Sequence, residues 1–302
     1  MPKNAPPPRM GIEKFLFDHE FAIRECLKGF HPTNTFSFQG VLVRQRGMLR
    51  RLRKVRRVVD PNVAHRAWNT VDRHRASAAC AIEQIRARAW GLGELNNSLT
   101  STFVNLQHVT FADTADRRRS GELHRFNLEG YKRKVRRALA QLHRSYPDMW
   151  AVGIVEISAA RTSAETLSFE PHCHVLIDGV PKEAVRAAFK NLLGKRSSGL
   201  KPVRLQDVPT RADLSRVLGY FLKQVPELRT NLLGEDGRLK KGRANLLTGS
   251  SEIEWLAWMA AHRVTDLLIA TGPPAKTIRD FECRELQPII EELIRPRPEP
   301  RP

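Results

Sequence analysis

The chain has 302 residues, of which 41% are hydrophobic, enough for a substantial core and for one large domain with extensions or two smaller ones. Lys and Arg number 51 against 32 Asp and Glu, a formal charge of +19 whose field favours a polyanion, nucleic acid first and an anionic membrane second. No run of about 20 apolar residues exists, which excludes a membrane-spanning helix. The four cysteines form no C-x-x-C pair, which argues against structural zinc or a disulfide framework and for a reducing cytosol.

Residues 1–9 are Pro-rich, lack the apolar stretch of a signal peptide, and are expected to be disordered. Residues 10–100 read as a basic helical region that binds DNA. Its densest part is Arg44, Arg46, Arg50, Arg51, Arg53, Lys54, Arg56 and Arg57, eight cations in fourteen residues without one acid. Like charges on adjacent helical turns repel, so such a run favours phosphate contact over a merely solvated face.

The pattern changes over residues 101–228. Thr102 to Ala112 is β-branched and aromatic, a strand. His124 to Ser145 reads as a long helix that presents Lys132, Arg133 and Arg136 to DNA. Met149 to Ser158 is apolar enough for a central strand, and a polar loop leads to a second, Pro171-His172-Cys173-His174-Val175-Leu176-Ile177-Asp178. Pro181 opens a helix to about Leu193, Pro202 to Val208 is a short strand, and Thr210 to Val225 is a helix with Thr210 and Asp213 spaced as a capping box. The order β-α-β-β-α-β-α predicts an α+β fold, an antiparallel sheet of split βαβ type with helices on one face and the other face left for a site. Residues 229–250 look like a flexible basic segment. Residues 251–294 form a helical C-terminal region in which Ser251 to Ala270 is one amphipathic helix, and residues 295–302 are a disordered Pro-rich tail.

Side chains on a strand alternate faces, so His172 and His174 share one side while Cys173, Val175 and Ile177 pack on the other. Two imidazoles make half of a metal site. Glu156, on the preceding strand among Ile154, Val155 and Ile157, is a carboxylate that is expensive to bury without a cation. An Arg partner would also satisfy it. Glu170 and Asp178 flank the motif as weaker candidates, and His108 has no spacing argument behind it. Two His and one carboxylate suit a six-coordinate divalent ion, Mg²⁺ or Mn²⁺. On the helix that follows, Leu214, Val217, Leu218, Phe221 and Val225 form the apolar stripe, with Tyr220, Lys223 and Arg216 opposite.

A His-hydrophobic-His strand followed about 45 residues later by hydrophobic-x-Tyr-x-x-Lys on a helix resembles the HUH endonucleases, most of all the single-tyrosine replication initiators of rolling-circle plasmids. The strand from Phe103 to Phe111 stands where that family has its first motif. The resemblance implies that His172, His174 and Glu156 hold a divalent ion, that Tyr220 attacks a DNA phosphate, and that Lys223 helps position charge. It implies nicking and rejoining of one strand at an origin through a 5′-phosphotyrosine, in the cytoplasm, with origin duplex, single-stranded DNA, a host helicase and a polymerase as partners and no membrane. Gln224 stands where a second tyrosine would fall, and Arg216 where some initiators carry a Glu that activates water. A single-tyrosine transposase of the same superfamily and a non-catalytic DNA-binding regulator are the alternatives.

Overall fold

The computed structural model describes residues 43, 47–51, 61–72, 77–99, 105–162, 167–193, 202–222, 227–233, 239–240, 242 and 244–283. Both tails expected to be disordered lie outside these residues, as do Arg53, Lys54, Arg56, Arg57 and Lys223.

Before the sheet come α1 (Pro61–Asp72) and α2 (Ala81–Trp90), which runs through a π-helical turn, Gly91–Leu95, into α3 (Asn96–Leu99). Next are β1 (Gln107–Ala112), the short β2 (Arg118–Arg119), α4 (Leu128–Ser145), β3 (Trp150–Thr162), β4 (Ser168–Asp178), α5 (Lys182–Lys190), β5 (Val203–Asp207) and α6 (Arg211–Phe221). The fold is α+β, with a mostly antiparallel sheet. Its central order is β5-β1-β4-β3, every neighbour antiparallel, so the two β-α-β crossovers interleave. β4 sits in the middle and is buried on both faces from Cys173 to Asp178, as its near-continuous apolar sequence requires.

One face is covered by α4 and α5. Phe111 packs there between Tyr131 and Phe189, and Tyr131 Oη donates to Phe111 O at 3.1 Å. The opposite face was expected to stand open. Instead α6, the 81–99 segment and α8 (Pro273–Cys283) pack over part of it. Arg88 donates to Gly219 O at 2.8 Å, Asn96 donates to Ser215 Oγ at 3.2 Å, and the π-helical turn meets the end of α6 closely. Residues 77–99 therefore share one hydrophobic core with the sheet rather than forming a separate unit.

Two readings of the C-terminal half need correcting. Part of the segment expected to be flexible is strand: β6 (Glu227–Leu233), β7 (Leu239–Lys240) and β8 (Ala244–Leu246). The helix expected to reach Ala270 ends earlier, as α7 (Gly249–Ala260), and β9 (Leu268–Thr271) follows. The Asp266 carboxylate accepts from Arg263 N at 2.7 Å and turns the chain there, and the contiguous apolar run Leu267-Leu268-Ile269 suits a covered strand better than a helical stripe. The 13-residue β3 has room for both additions on its outer edge. β9 pairs antiparallel with Ala151–Ile154 and β6 pairs parallel with Ala159–Thr162. Between them Trp255 Nε1 donates to Ile157 O at 2.9 Å.

Candidate active site

Register decides which side chains meet. His172 pairs with Glu156 on β3 and Ala112 on β1, and His174 pairs with Ile154 and Thr110. Paired residues share a face, so His108, Thr110, Glu156, Ser158, His172 and His174 lie on one side of three adjacent strands. This is the face that α6 partly covers.

His174, only 6% exposed, is the hub. Its Nε2 lies 3.0 Å from Glu156 Oε2, and its Nδ1 lies 3.1 Å from His108 Nε2 and 3.3 Å from Thr110 Oγ1. The His172 ring runs nearly parallel to that of His174, at 6.4 Å between centroids, with Nδ1 3.3 Å from Ser158 Oγ. The hydroxyls of Thr110 and Ser158 thus hold the δ nitrogens of the two rings, one each. Metal-binding histidines use this second contact to fix tautomer and ring orientation.

Tyr220 arrives from α6. Thr210 caps that helix as the sequence predicts, accepting from Asp213 N at 3.1 Å and donating to the Asp213 carboxylate at 2.7 Å. Leu214, Leu218 and Phe221 are buried, and Phe221 lies 5.2 Å from the His108 ring and 5.8 Å from that of His174. Tyr220 remains 38% exposed while its ring stands edge-on to His174, at 5.5 Å and 87°. One turn of helix thus puts a phenol beside the histidine–carboxylate pair and open to solvent.

The electrostatics follow from that crowding. Glu156 pushes the Tyr220 phenol above its ordinary range, helped by burial and by Glu227, while Arg229 acts the other way. Burial, reinforced by His174, lowers the His108 imidazole to about 3, so it is neutral at ordinary pH.

The donor set, two imidazoles and a carboxylate with both δ nitrogens held, fits a hard or borderline divalent ion. The separation of His174 Nε2 and Glu156 Oε2 also suits two neighbouring ligands of one cation. Among the described residues no three His, Cys, Asp or Glu side chains converge at metal-ligand spacing. The flanking acids are engaged elsewhere: Glu170 pairs with Arg117 at 2.6 Å, and Asp178 accepts from Asn105 N at 2.8 Å.

The residues expected to touch DNA are scattered. Arg133 and Arg136 are exposed on α4, on the far side of the sheet from the site, and Arg136 lies 3.3 Å from Glu129. Lys132 is 4% exposed, and its ammonium is taken up by Asp266 O and Glu129, so no phosphate reaches it. The helical period places it one step off the solvent stripe. Arg50 is exposed, whereas Arg51 pairs with Glu252 of α7 at 2.9 Å, an intramolecular role.

Sequence reasoning left His108 unassigned and missed Thr110, Ser158, Glu227 and Arg229. Thr110 and Ser158 carry the strand-alternation signal that revealed the histidines, applied one strand to either side. No family model matches the chain, and comparisons with curated proteins and with solved structures return no significant similarity.

Proposed function

We propose that the protein is a site-specific endonuclease and strand transferase for single-stranded DNA, acting through Tyr220, and that it initiates rolling-circle replication in the cytoplasm. The observation that carries this reading is the Tyr220 ring standing edge-on to His174, on a face that also holds His172 and Glu156. The interleaved β-α-β strand order and the tyrosine helix that follows β5 support this reading.

A divalent cation, Mg²⁺ or Mn²⁺, held by His172, His174 and Glu156 would supply Lewis-acid polarisation of the scissile phosphate and draw off the Glu156 charge that keeps the phenol protonated. Tyr220 Oη forms the new bond to phosphorus while the bond from phosphorus to the 3′ oxygen breaks. The phenolic proton ends on that oxygen, leaving a 5′-phosphotyrosine and a free 3′-OH that a polymerase extends. The diester-like link conserves the bond energy, so rejoining runs the same steps in reverse. Arg133, Arg136 and Arg50 stay available for origin duplex, and a host helicase belongs to the same reading.

The direct Glu156–His174 bond favours a second reading, a DNA-binding regulator without catalysis. One assay separates the two. Nicking of a random-sequence single-stranded DNA pool should stop in EDTA and return with Mn²⁺ or Mg²⁺. Full activity in chelator rejects the metal assignment, and no cleavage under any condition supports the regulator. A terminal-hairpin substrate, cut in preference to an origin, would point to a transposase.

A further inference from the structure

The site as built is poor in positive charge for a protein that is otherwise strongly basic. The charges that act on the Tyr220 phenol are the Glu156 and Glu227 carboxylates and one guanidinium, Arg229, and its ring stands against that of His174. Even with a cation on Glu156, a phosphodiester approaching that oxygen meets the Glu227 carboxylate, and close like charges repel strongly where water is partly excluded.

The strand that the sequence conceals supplies the opposite charge. β6 pairs parallel with β3, Leu228 against Ala159 and Arg229 against Ala160. Side chains alternate along both strands, so Arg229 and Glu227 share the face of Ala160, Ser158 and Glu156, while Leu228 turns to the core. Among the described residues Arg229 is the cation whose charge acts on the Tyr220 oxygen. Its guanidinium is half-buried and touches Glu227 through one contact of 3.4 Å. A charge-assisted bond is normally about 2.7–2.9 Å, and Arg117–Glu170, a pair of similar exposure, measures 2.6 Å, whereas the long pairs Arg125–Glu122 and Arg136–Glu129, at 3.2 and 3.3 Å, are far more exposed. Arg229 is therefore held near the site by a strand but only loosely bonded there, a state from which a planar guanidinium exchanges readily onto a phosphate.

We propose that Arg229 grips the DNA phosphate presented to Tyr220, with Glu227 as the resting partner that the phosphate displaces. This rests on the function proposed above and adds to it a residue outside both motifs.

The test uses the full chain with Arg229→Gln, Arg229→Lys and Glu227→Gln, each checked for folding by circular dichroism. In a Tyr220→Phe background, affinity for a random-sequence single-stranded DNA pool is measured against salt. Arg229→Gln should flatten the slope of log K against log salt by about 0.7, one phosphate contact on a single strand. Glu227→Gln should bind as tightly as its parent or more tightly. With Tyr220 present, Arg229→Gln should slow covalent capture of the same pool roughly 10²-fold, as loss of one preorganised donor does, and Arg229→Lys should recover part of it. An unchanged salt slope and capture rate in Arg229→Gln would overturn the proposal. So would equal losses in Arg229→Gln and Glu227→Gln, which mean the pair is only structural. If unaltered protein captures no DNA, the proposed function fails, and the salt slopes still decide whether Arg229 meets phosphate.

Discussion

At the scale of single residues, the account turns on how four strands present side chains to one face. The His172–His174 pair was legible because the period of a strand is two, and Glu156 because a carboxylate among Ile154, Val155 and Ile157 needs a partner. His108 was not legible. Nothing in sequence distance ties it to His174, and only the β1–β4 register brings their nitrogens within 3.1 Å. If Glu156 and the histidines act together, Glu156→Ala should lower nicking about as far as His172→Ala or His174→Ala, by roughly 10²-fold or more. Normal nicking by Glu156→Ala would remove it from the site. His108 also makes a pH prediction. Its imidazole is held from 6.5 down to about 3 by burial, so the unfolded chain takes up a proton that the folded chain refuses. The stability from keeping it neutral is complete above pH 6.5 and is lost as pH falls from there toward 3. Urea midpoints of His108→Phe should accordingly fall less steeply between pH 6.5 and 4 than those of the unaltered protein. Parallel curves would mean that this imidazole is not kept neutral.

At the scale of elements, periodicity and capping located β3, β4, α5, β5 and α6 to within a few residues, because each carries a local signal: a Pro start, a capping box, or an unbroken apolar run. β6 and β9 escaped for a physical reason. Both are edge additions to a long β3, stabilised by pairing with a distant strand rather than by their own pattern, and Glu227-Leu228-Arg229-Thr230 is polar enough to pass for a loop. The β3–β4 contact that carries the site tolerates little at Gly153. A Cβ there would sit 2.5 Å from His174 O and 3.1 Å from Val175 Cα, both backbone atoms that cannot swing aside. Gly153→Ala should therefore cost about 1–3 kcal/mol of stability, as overpacking does, and reduce nicking by shifting the His174 strand. A melting temperature equal to the unaltered protein's would show that the two strands have slack. By the same logic α6 depends on the N-terminal segment. Arg88→Met removes its bond to Gly219 O and should slow the reaction of Tyr220 more than it lowers DNA affinity.

At the scale of the whole molecule, charge and core divide differently from the way the sequence suggested. The core runs without interruption from Ala78 through the sheet to Trp255 and Phe281, so what looked like helical extensions include part of the body that supports the site. The basic surplus likewise separates into cations that work inside the protein, Lys132 and Arg51, and cations on its surface, Arg133 and Arg136. Arg133→Gln with Arg136→Gln should weaken duplex binding and flatten its salt dependence by roughly 0.9 slope units per lost contact, with stability unchanged. Lys132→Met should instead lower stability by about 1.5–3 kcal/mol, the worth of hydrogen bonds made by a charged group, and leave the salt slope alone. An unchanged slope in the double variant would place duplex binding elsewhere. The central claim, that Tyr220 is the nucleophile, is tested most directly by peptide mapping after incubation with single-stranded DNA and Mn²⁺. The other two tyrosines are poor candidates, since Tyr131 is fully enclosed with its hydroxyl on Phe111 O and Tyr146 packs against the core at the end of α4. The account predicts nucleotide mass on the Tyr220 peptide alone, and loss of adduct, nicking and joining together in Tyr220→Phe, with DNA affinity and melting temperature unchanged. Nucleotide mass on Tyr131 or Tyr146, or nicking that persists in Tyr220→Phe, would contradict it.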